Sequence, residues 1–194
     1  MTAKVERIEA VRRETEVLLT LTLSACAPRT HTYRVSMDAY LQAGRPSAGD
    51  VLAEDALLPL IGEEDERLAY SRAVKILASG DNTKRALFRK LCERGFLRES
   101  AEAAVARLEK DGYIREEELL LRQLGIYAKR LWGPKKFMPA LLEKGFARGD
   151  VERALALAKD EGIYDPDAVK EALLEALPTA DPLQRRAWLY KHGF

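Results

Sequence analysis

The chain holds only two histidines, two cysteines and no long apolar run, and each scarcity closes off a class of function. His31 stands beside a strand-like segment and His192 close to residue 194, and neither has a neighbouring nucleophile that would complete a recognisable triad. Cys26 and Cys92 lack CxxC spacing, which argues for reduced thiols and against structural zinc. Cys92 falls on an apolar helix face, where a small buried hydrophobe is a plainer reading than a reactive thiol. There is no GxxxxGK[ST] loop, no GxGxxG after a strand and no HExxH, so no cofactor, metal or catalytic residue is expected. The acidic runs Glu63 to Glu66 and Glu116 to Glu118 read as helix starts favoured by the helix dipole. No stretch approaches the length that spans a bilayer and no charged-then-apolar amino terminus suggests export, so a cytoplasmic protein without a membrane partner is expected. Charge of neither sign dominates: 32 basic residues face 31 acidic ones in 194, whereas nonspecific nucleic-acid binders usually carry a marked basic excess.

What the chain does have is self-similarity. A phrase recurs three times, as LCERGF ending at Phe96, LLEKGF ending at Phe146 and LYKHGF ending at Phe194. Gly95 and Gly145 are fifty residues apart, and Gly145 and Gly193 forty-eight. The likeness extends outward, so that Arg85 to Tyr113 lines up with Lys135 to Ile163. Leu87, Leu91 and Phe96 then correspond to Phe137, Leu141 and Phe146, while Val105 and Leu108 correspond to Leu155 and Ala158. A period of this size marks a repeat array, in which each unit buries an apolar face against its neighbour. Each unit reads as three helices: roughly 65–79, 84–94 and 100–111 in the first, and roughly 116–132, 135–144 and 150–160 in the second. A third, incomplete unit covers 164–194, with Asp165 before Pro166 and Asp181 before Pro182 as capping pairs. Glycine at the end of each phrase suits a helix leaving in a left-handed conformation. Eight helices result, with the ninth absent, and the expected shape is an elongated curved array.

The first sixty-odd residues follow another rule. Val17, Leu19, Leu21 and Leu23 alternate with Leu18, Thr20 and Thr22, the period of a strand buried mainly on one face. Tyr33 and Val35 alternate with Thr32 and Arg34 in the same way, and Lys4 to Glu9 is a weaker strand candidate. Ser36 is placed to cap a short helix over 37–43. The fold class is therefore mainly α, with a small β-containing module over 1–62 ahead of tandem three-helix repeats over 63–194. The boundary is expected near Gly62 to Asp65, where acidic residues interrupt the apolar run.

Charge becomes informative once divided. Residues 1–64 carry seven basic and ten acidic side chains, and residues 65–194 carry twenty-five and twenty-one. Lys84, Arg85, Arg89, Lys90 and Arg94 share one predicted helix, and the corresponding part of the next unit carries Lys129, Arg130, Lys135, Lys136 and Lys144. Residues four apart stack on one side of a helix. Two such strips are suited to a phosphate backbone or an acidic protein groove, although a solvated helix face also explains them. Tyr127, Trp132 and Phe137 are the aromatics nearest these charges. They read as filling for the junction between helices rather than as a platform for bases.

Thr83 through Leu91 followed by ERGF, then LEKDGYI (Leu108 to Ile114), a helix ending in YAKRLWGPKKF, and LLEKGF beyond it together resemble the RecX family of bacterial modulators of the RecA recombinase. Ala86 replaces a glutamate usual before Leu87, and Arg115 and Glu116 stand where a pair of aspartates is common. TYRVSMDAYLQAG followed by GDVL (Gly49 to Leu52) resembles the β-containing extension of some members. The resemblance implies tandem three-helix repeats and a non-enzymatic regulator. Such a regulator lies along the groove of the RecA nucleoprotein filament and lowers its ATPase and strand-exchange activity in recombination and DNA repair. The RecA filament is then the expected partner, with DNA within or near it as a second, and the chain is expected to be a monomer. Candidate contacts are Lys84, Arg85, Arg89, Lys90 and Arg94, then Arg130, Lys135 and Lys136. The competing readings are a helical nucleic-acid-binding module acting directly on DNA, and an enzyme built on scattered carboxylates or tyrosines.

Overall fold

The structure, a computed structural model, describes residues 1–11, 15–24, 28–177 and 181–194, so Cys26 lies outside the described residues. The chain divides into two compact units, Met1–Ile114 and Arg115–Phe194.

The first unit opens with an antiparallel four-stranded sheet in the order β3-β2-β1-β4. Its strands are β1 (Thr2–Ala10), β2 (Glu16–Ser24), β3 (Arg29–Ser36) and the short β4 (Val51–Ala53). The alternation in β2 works as predicted, because Val17, Leu19, Leu21 and Leu23 are all buried on one face. On the other face threonines pair across strands, Thr20 with Thr32 and Thr22 with Thr30, both at 2.9 Å. A bulge in β1 between Val5 and Arg7 shifts the register beyond Val5. A short helix, α1 (Met37–Gln42), follows, capped by Ser36, whose hydroxyl accepts from the Ala39 N–H at 3.1 Å.

Helix α2 (Glu54–Ala78) differs most from expectation, since it begins at Glu54 rather than near Asp65 and runs unbroken through Gly62 to Asp65. Its apolar positions explain why. Leu57, Leu60 and Ile61 cover the inner face of the sheet, and Ala69, Ala73 and Ile76, further along the same helix, pack against the next two helices. One element thus serves both hydrophobic clusters of this unit, and Glu63, Glu64 and Glu66 lie on its outer side while Asp65 alone is buried. The next two helices are α3 (Lys84–Glu93) and α4 (Arg98–Lys110). They contribute Leu87, Leu91, Ala101, Ala104 and Leu108 to the second cluster, which Phe96 completes.

The second unit contains α5 (Glu116–Lys129), α6 (Pro134–Glu143), α7 (Arg148–Asp160), α8 (Pro166–Glu175) and α9 (Pro182–His192). Its core joins Leu120, Leu124 and Tyr127 of α5 to Phe137 and Leu141 of α6, with Phe146, Val151, Ala154, Ala158 and Tyr164. The aromatic members are ordered: Tyr127 stacks on Phe137 at 5.1 Å and on Trp132 at 5.4 Å, and Phe137 meets Tyr164 edge-on. Asp165 and Asp181 accept from the N–H groups of Asp167 and Leu183 at 3.0 Å each, as the two Asp-Pro pairs predict.

The recurring phrase is a helix-ending device in all three copies. Gly95, Gly145 and Gly193 have φ of 79°, 98° and 89°. The following phenylalanine N–H then reaches back to the carbonyl of Leu91, Leu141 or Leu189. The third copy has a further role. His192 and Gly193 turn their carbonyls onto the start of α6, accepting from the N–H groups of Gly133 at 2.6 Å and Lys135 at 3.1 Å. A Cβ on Gly133 would sit 2.5 Å from the Gly193 oxygen, so glycine is required there. Helix α9 itself leaves Leu183 at 78% and Tyr190 at 81% exposure. Among the described residues no helix is long and apolar enough to cross a membrane.

Candidate partner-binding surfaces

Helices α2, α4, α5, α7 and α8 each carry an acidic residue in the first turn, where the free N–H groups and the dipole favour it. α3 and α6, the second helices of their repeats, carry none, and neither does α9. α3 and α6 begin instead with Lys84 and Arg85 in one case and with Lys135 and Lys136 in the other. A cation at a helix start forgoes about 0.3–1 kcal/mol of favourable dipole interaction. Helix stability therefore does not account for basic residues at these two positions.

In the first unit the strip on α3 separates into tethered and outward-facing groups. Lys84 Nζ pairs with Glu109 Oε1 on α4 at 2.7 Å, and Lys90 Nζ donates to Asn82 Oδ1. Thr83 caps the helix, its Oγ accepting from the Ala86 N–H at 3.1 Å. Arg85 and Arg89 are exposed and one turn apart, and among the described residues Arg89 pairs with its helix neighbour Glu93 alone, at 3.7 Å. A surface pair of that length is worth little and is readily exchanged for another anion. Arg94 leaves the strip: its Nη1 donates to the Lys90 carbonyl at 2.8 Å, and its side chain lines a separate groove with Arg29, Arg72 and Lys75.

The first unit also has a polar core. Asp65 is fully buried and accepts from the Tyr33 hydroxyl at 2.9 Å and from the Leu97 N–H at 2.8 Å, tying α2 both to β3 and to the segment entering α4. Burial pushes the Asp65 carboxyl above its usual range, against the opposing pull of the Leu97 N–H, the Tyr33 hydroxyl and the Arg29 charge. Burial likewise raises the Tyr33 phenol, with Asp65 adding to it, and lowers His31, with Arg29 adding to it. Arg29 lies over the ring of Phe96, its Cζ 4.0 Å from the centroid.

In the second unit the cations gather on one ring. Trp132 is half-buried, with Lys136 Nζ 4.5 Å and Arg130 Cζ 5.6 Å from its centroid. Its carbonyl accepts from the Tyr164 hydroxyl at 2.9 Å, which holds the loop before α6. Lys135 is exposed beside them, and Lys144 Nζ reaches Gln123 Oε1 at 2.5 Å. Tyr127 and Phe137 are core residues, as read from the sequence, and Trp132 packs against the same core, half-buried, with the two cations over its ring.

Sequence reasoning missed Arg29, Arg72 and Lys75. Arg72 and Lys75 are three apart on α2 and so share a side of it, a pattern visible in the sequence. Arg29 and Arg94 join them only through the tertiary fold.

No family model matches the chain. It is 34% identical over 100 residues to the regulatory protein RecX of Ectopseudomonas mendocina, covering 51% of this chain and 65% of that one. To the RecX of Pseudomonas syringae pv. tomato it is 36% identical over 83 residues, covering 43% and 54%. The chain thus spans about half to two thirds of the length of these two relatives. It is also 30% identical over 145 residues to the RecX of Trichlorobacter lovleyi, covering 66% of this chain and 93% of that one. Among solved structures, a crystal structure of regulatory protein RecX aligns over 99% of this chain and 94% of its own, with a TM-score of 0.55 and 20% identity, a likeness of fold.

Proposed function

The chain belongs to the RecX family, and from that premise we propose that it binds the RecA nucleoprotein filament and lowers its ATPase and strand-exchange activity, acting without catalysis of its own. The observation that carries the reading is the relation to a RecX protein across 93% of that protein's length. At the level of residues it is supported by the basic first turns of α3 and α6, which run against the helix dipole at equivalent places in two repeats. Arg85 and Arg89 are the contacts of first rank, since they are exposed and weakly engaged; Lys84 and Lys90 stand behind them with partners of their own, and Arg94, turned into the groove beside Arg29, is a contact of lower rank. In the second unit Arg130 and Lys136 lie over Trp132, with Lys135 exposed next to them in the chain, a combination of aromatic and cation of the kind that anchors interfaces. Charge of this sort governs encounter and orientation, and a half-buried aromatic supplies holding strength.

Cosedimentation with RecA filaments on single-stranded DNA tests this reading. The natural chain should pellet with the filament, and the Arg85→Glu, Arg89→Glu pair should weaken binding by tenfold or more, on the order of 1.4 kcal/mol or above. A chain that stays in the supernatant at saturating filament, while folded by circular dichroism, would refute it.

A further inference from the structure

We infer that the end of α9, His192 to Phe194, positions the partner contact of the second unit: it caps α6 from outside and so sets Trp132, Lys135 and Lys136 in place. The inference rests on the proposed function for what those three residues meet.

The two basic helix starts are built differently. α3 caps itself, since Thr83, at φ −71° and ψ 157°, turns its hydroxyl onto the Ala86 N–H. Gly133 holds the equivalent place before α6 with nearly the same backbone, φ −83° and ψ 166°, and has no side chain to cap with. A serine or threonine fits such a backbone. What forbids one is the end of α9, because a Cβ on Gly133 would lie 2.5 Å from the Gly193 oxygen and 2.9 Å from the Phe194 ring. The acceptors come from there instead, as the His192 and Gly193 carbonyls take the N–H groups of Gly133 and Lys135. Two carbonyl dipoles aimed at the helix start also offset the repulsion between the macrodipole and the two lysines.

The seat is close from both sides. A Cβ on Gly193 would meet the Lys136 Cβ and backbone nitrogen, both at 2.5 Å. No residue of α9 is buried, whereas Gly193 is, and Phe194 packs at the margin of the second unit's core. Burial is therefore deepest where the chain meets α6. Just ahead of Trp132, Leu131 has φ 54°, a conformation that a non-glycine residue keeps only where its surroundings impose it. Trp132 thus stands between a strained residue and a capped glycine, and its carbonyl is held by the Tyr164 hydroxyl. Unseating the end of α9 removes one of these restraints and leaves the first turn of α6 without acceptors.

Cosedimentation of the full chain with RecA filaments on single-stranded DNA tests the inference through a rescue. Gly193→Ala cannot seat against Lys136, and Gly133→Ser cannot seat under the Gly193 carbonyl, so each alone should bind about fivefold more weakly. Combined, they should recover most of the loss, because the new hydroxyl, no longer opposed by that carbonyl, accepts from the Lys136 N–H as Thr83 does from Ala86. Phe194→Ala loosens the same seat without a clash and should also weaken binding, which covers a Gly193→Ala chain that does not fold. Val151→Ala, a buried change on α7, should lower the stability of the unit in urea yet leave binding of the folded chain within about twofold. A combined variant no better than the single ones overturns the inference, and so does a Val151→Ala chain that binds as weakly as Gly193→Ala. Single variants that pellet as fully as the natural chain sink this inference alone. A natural chain that does not pellet refutes the proposed function, and the inference falls with it.

Discussion

Replacing Asp65 by alanine removes the acceptor that joins α2 to β3 and to the entry of α4. Two buried donors lose their partner, the Tyr33 hydroxyl and the Leu97 N–H. Each buried donor left without an acceptor costs about 1–3 kcal/mol, so the gross loss is about 2–6 kcal/mol. Removal of a desolvated carboxylate offsets part of this, since burial already works against the charged form. A net destabilisation of about 2–4 kcal/mol is expected, a large share of the ~5–15 kcal/mol typical of a domain. Asp65→Asn should cost about 1–2 kcal/mol, less than alanine, because its amide oxygen still accepts from Leu97 and its NH₂ group donates to the Tyr33 oxygen, leaving only the Tyr33 hydroxyl proton without an acceptor. Both tryptophans lie in the second unit, so the measurement is urea unfolding followed by far-ultraviolet circular dichroism, together with exchange protection of the Leu97 amide. An alanine variant within about 0.5 kcal/mol of the natural chain, or an asparagine variant as damaged as alanine, refutes the role given to Asp65.

The same carboxyl makes stability depend on pH. Its pKa is raised in the folded state, so its contribution is fully present below the unfolded value of 3.8 and is lost as pH rises through the folded value. Asp65→Asn should abolish that part of the stability profile in acid-to-neutral urea titrations. Gly133→Ala drives a Cβ into the Gly193 carbonyl and should cost about 1–3 kcal/mol, read from tryptophan fluorescence, which reports the second unit alone. Lys136→Met should shift Trp132 emission while changing stability by about 1 kcal/mol at most, and an unchanged spectrum would deny the contact between cation and ring. Burial raises the Cys92 thiol, so in a Cys26→Ser chain it should alkylate several-fold more slowly at pH 8 than free cysteine.

Much of this fold was legible because the residues that specify it are local. The period of two in β2, the caps at Ser36, Asp165 and Asp181, and the Gly-Phe phrases each act within a few residues, and each stands where the pattern put it. The acidic stretch in α2 is not the helix start its composition predicts. Glu63, Glu64 and Glu66 are an outward face, and Asp65 is a buried acceptor whose partners, Tyr33 and Leu97, are each thirty-two residues away in sequence. Partners at that distance leave no local signal. The basic strips were legible as composition, but which members are tethered was not. Lys84 depends on Glu109 and Lys90 on Asn82, and neither pairing follows from helix periodicity. The groove around Arg29 was hidden for the same reason, since residues 29, 72, 75 and 94 meet only once β3, α2 and the end of α3 are packed together.

The single-stranded-DNA-dependent ATPase of the cognate RecA, measured as the natural chain is titrated in, tests the regulatory function most directly. Inhibition that deepens with concentration is expected, with the Arg85→Glu, Arg89→Glu chain requiring about tenfold more protein for the same effect. An unchanged ATPase rate at saturating concentrations of a folded chain would contradict it.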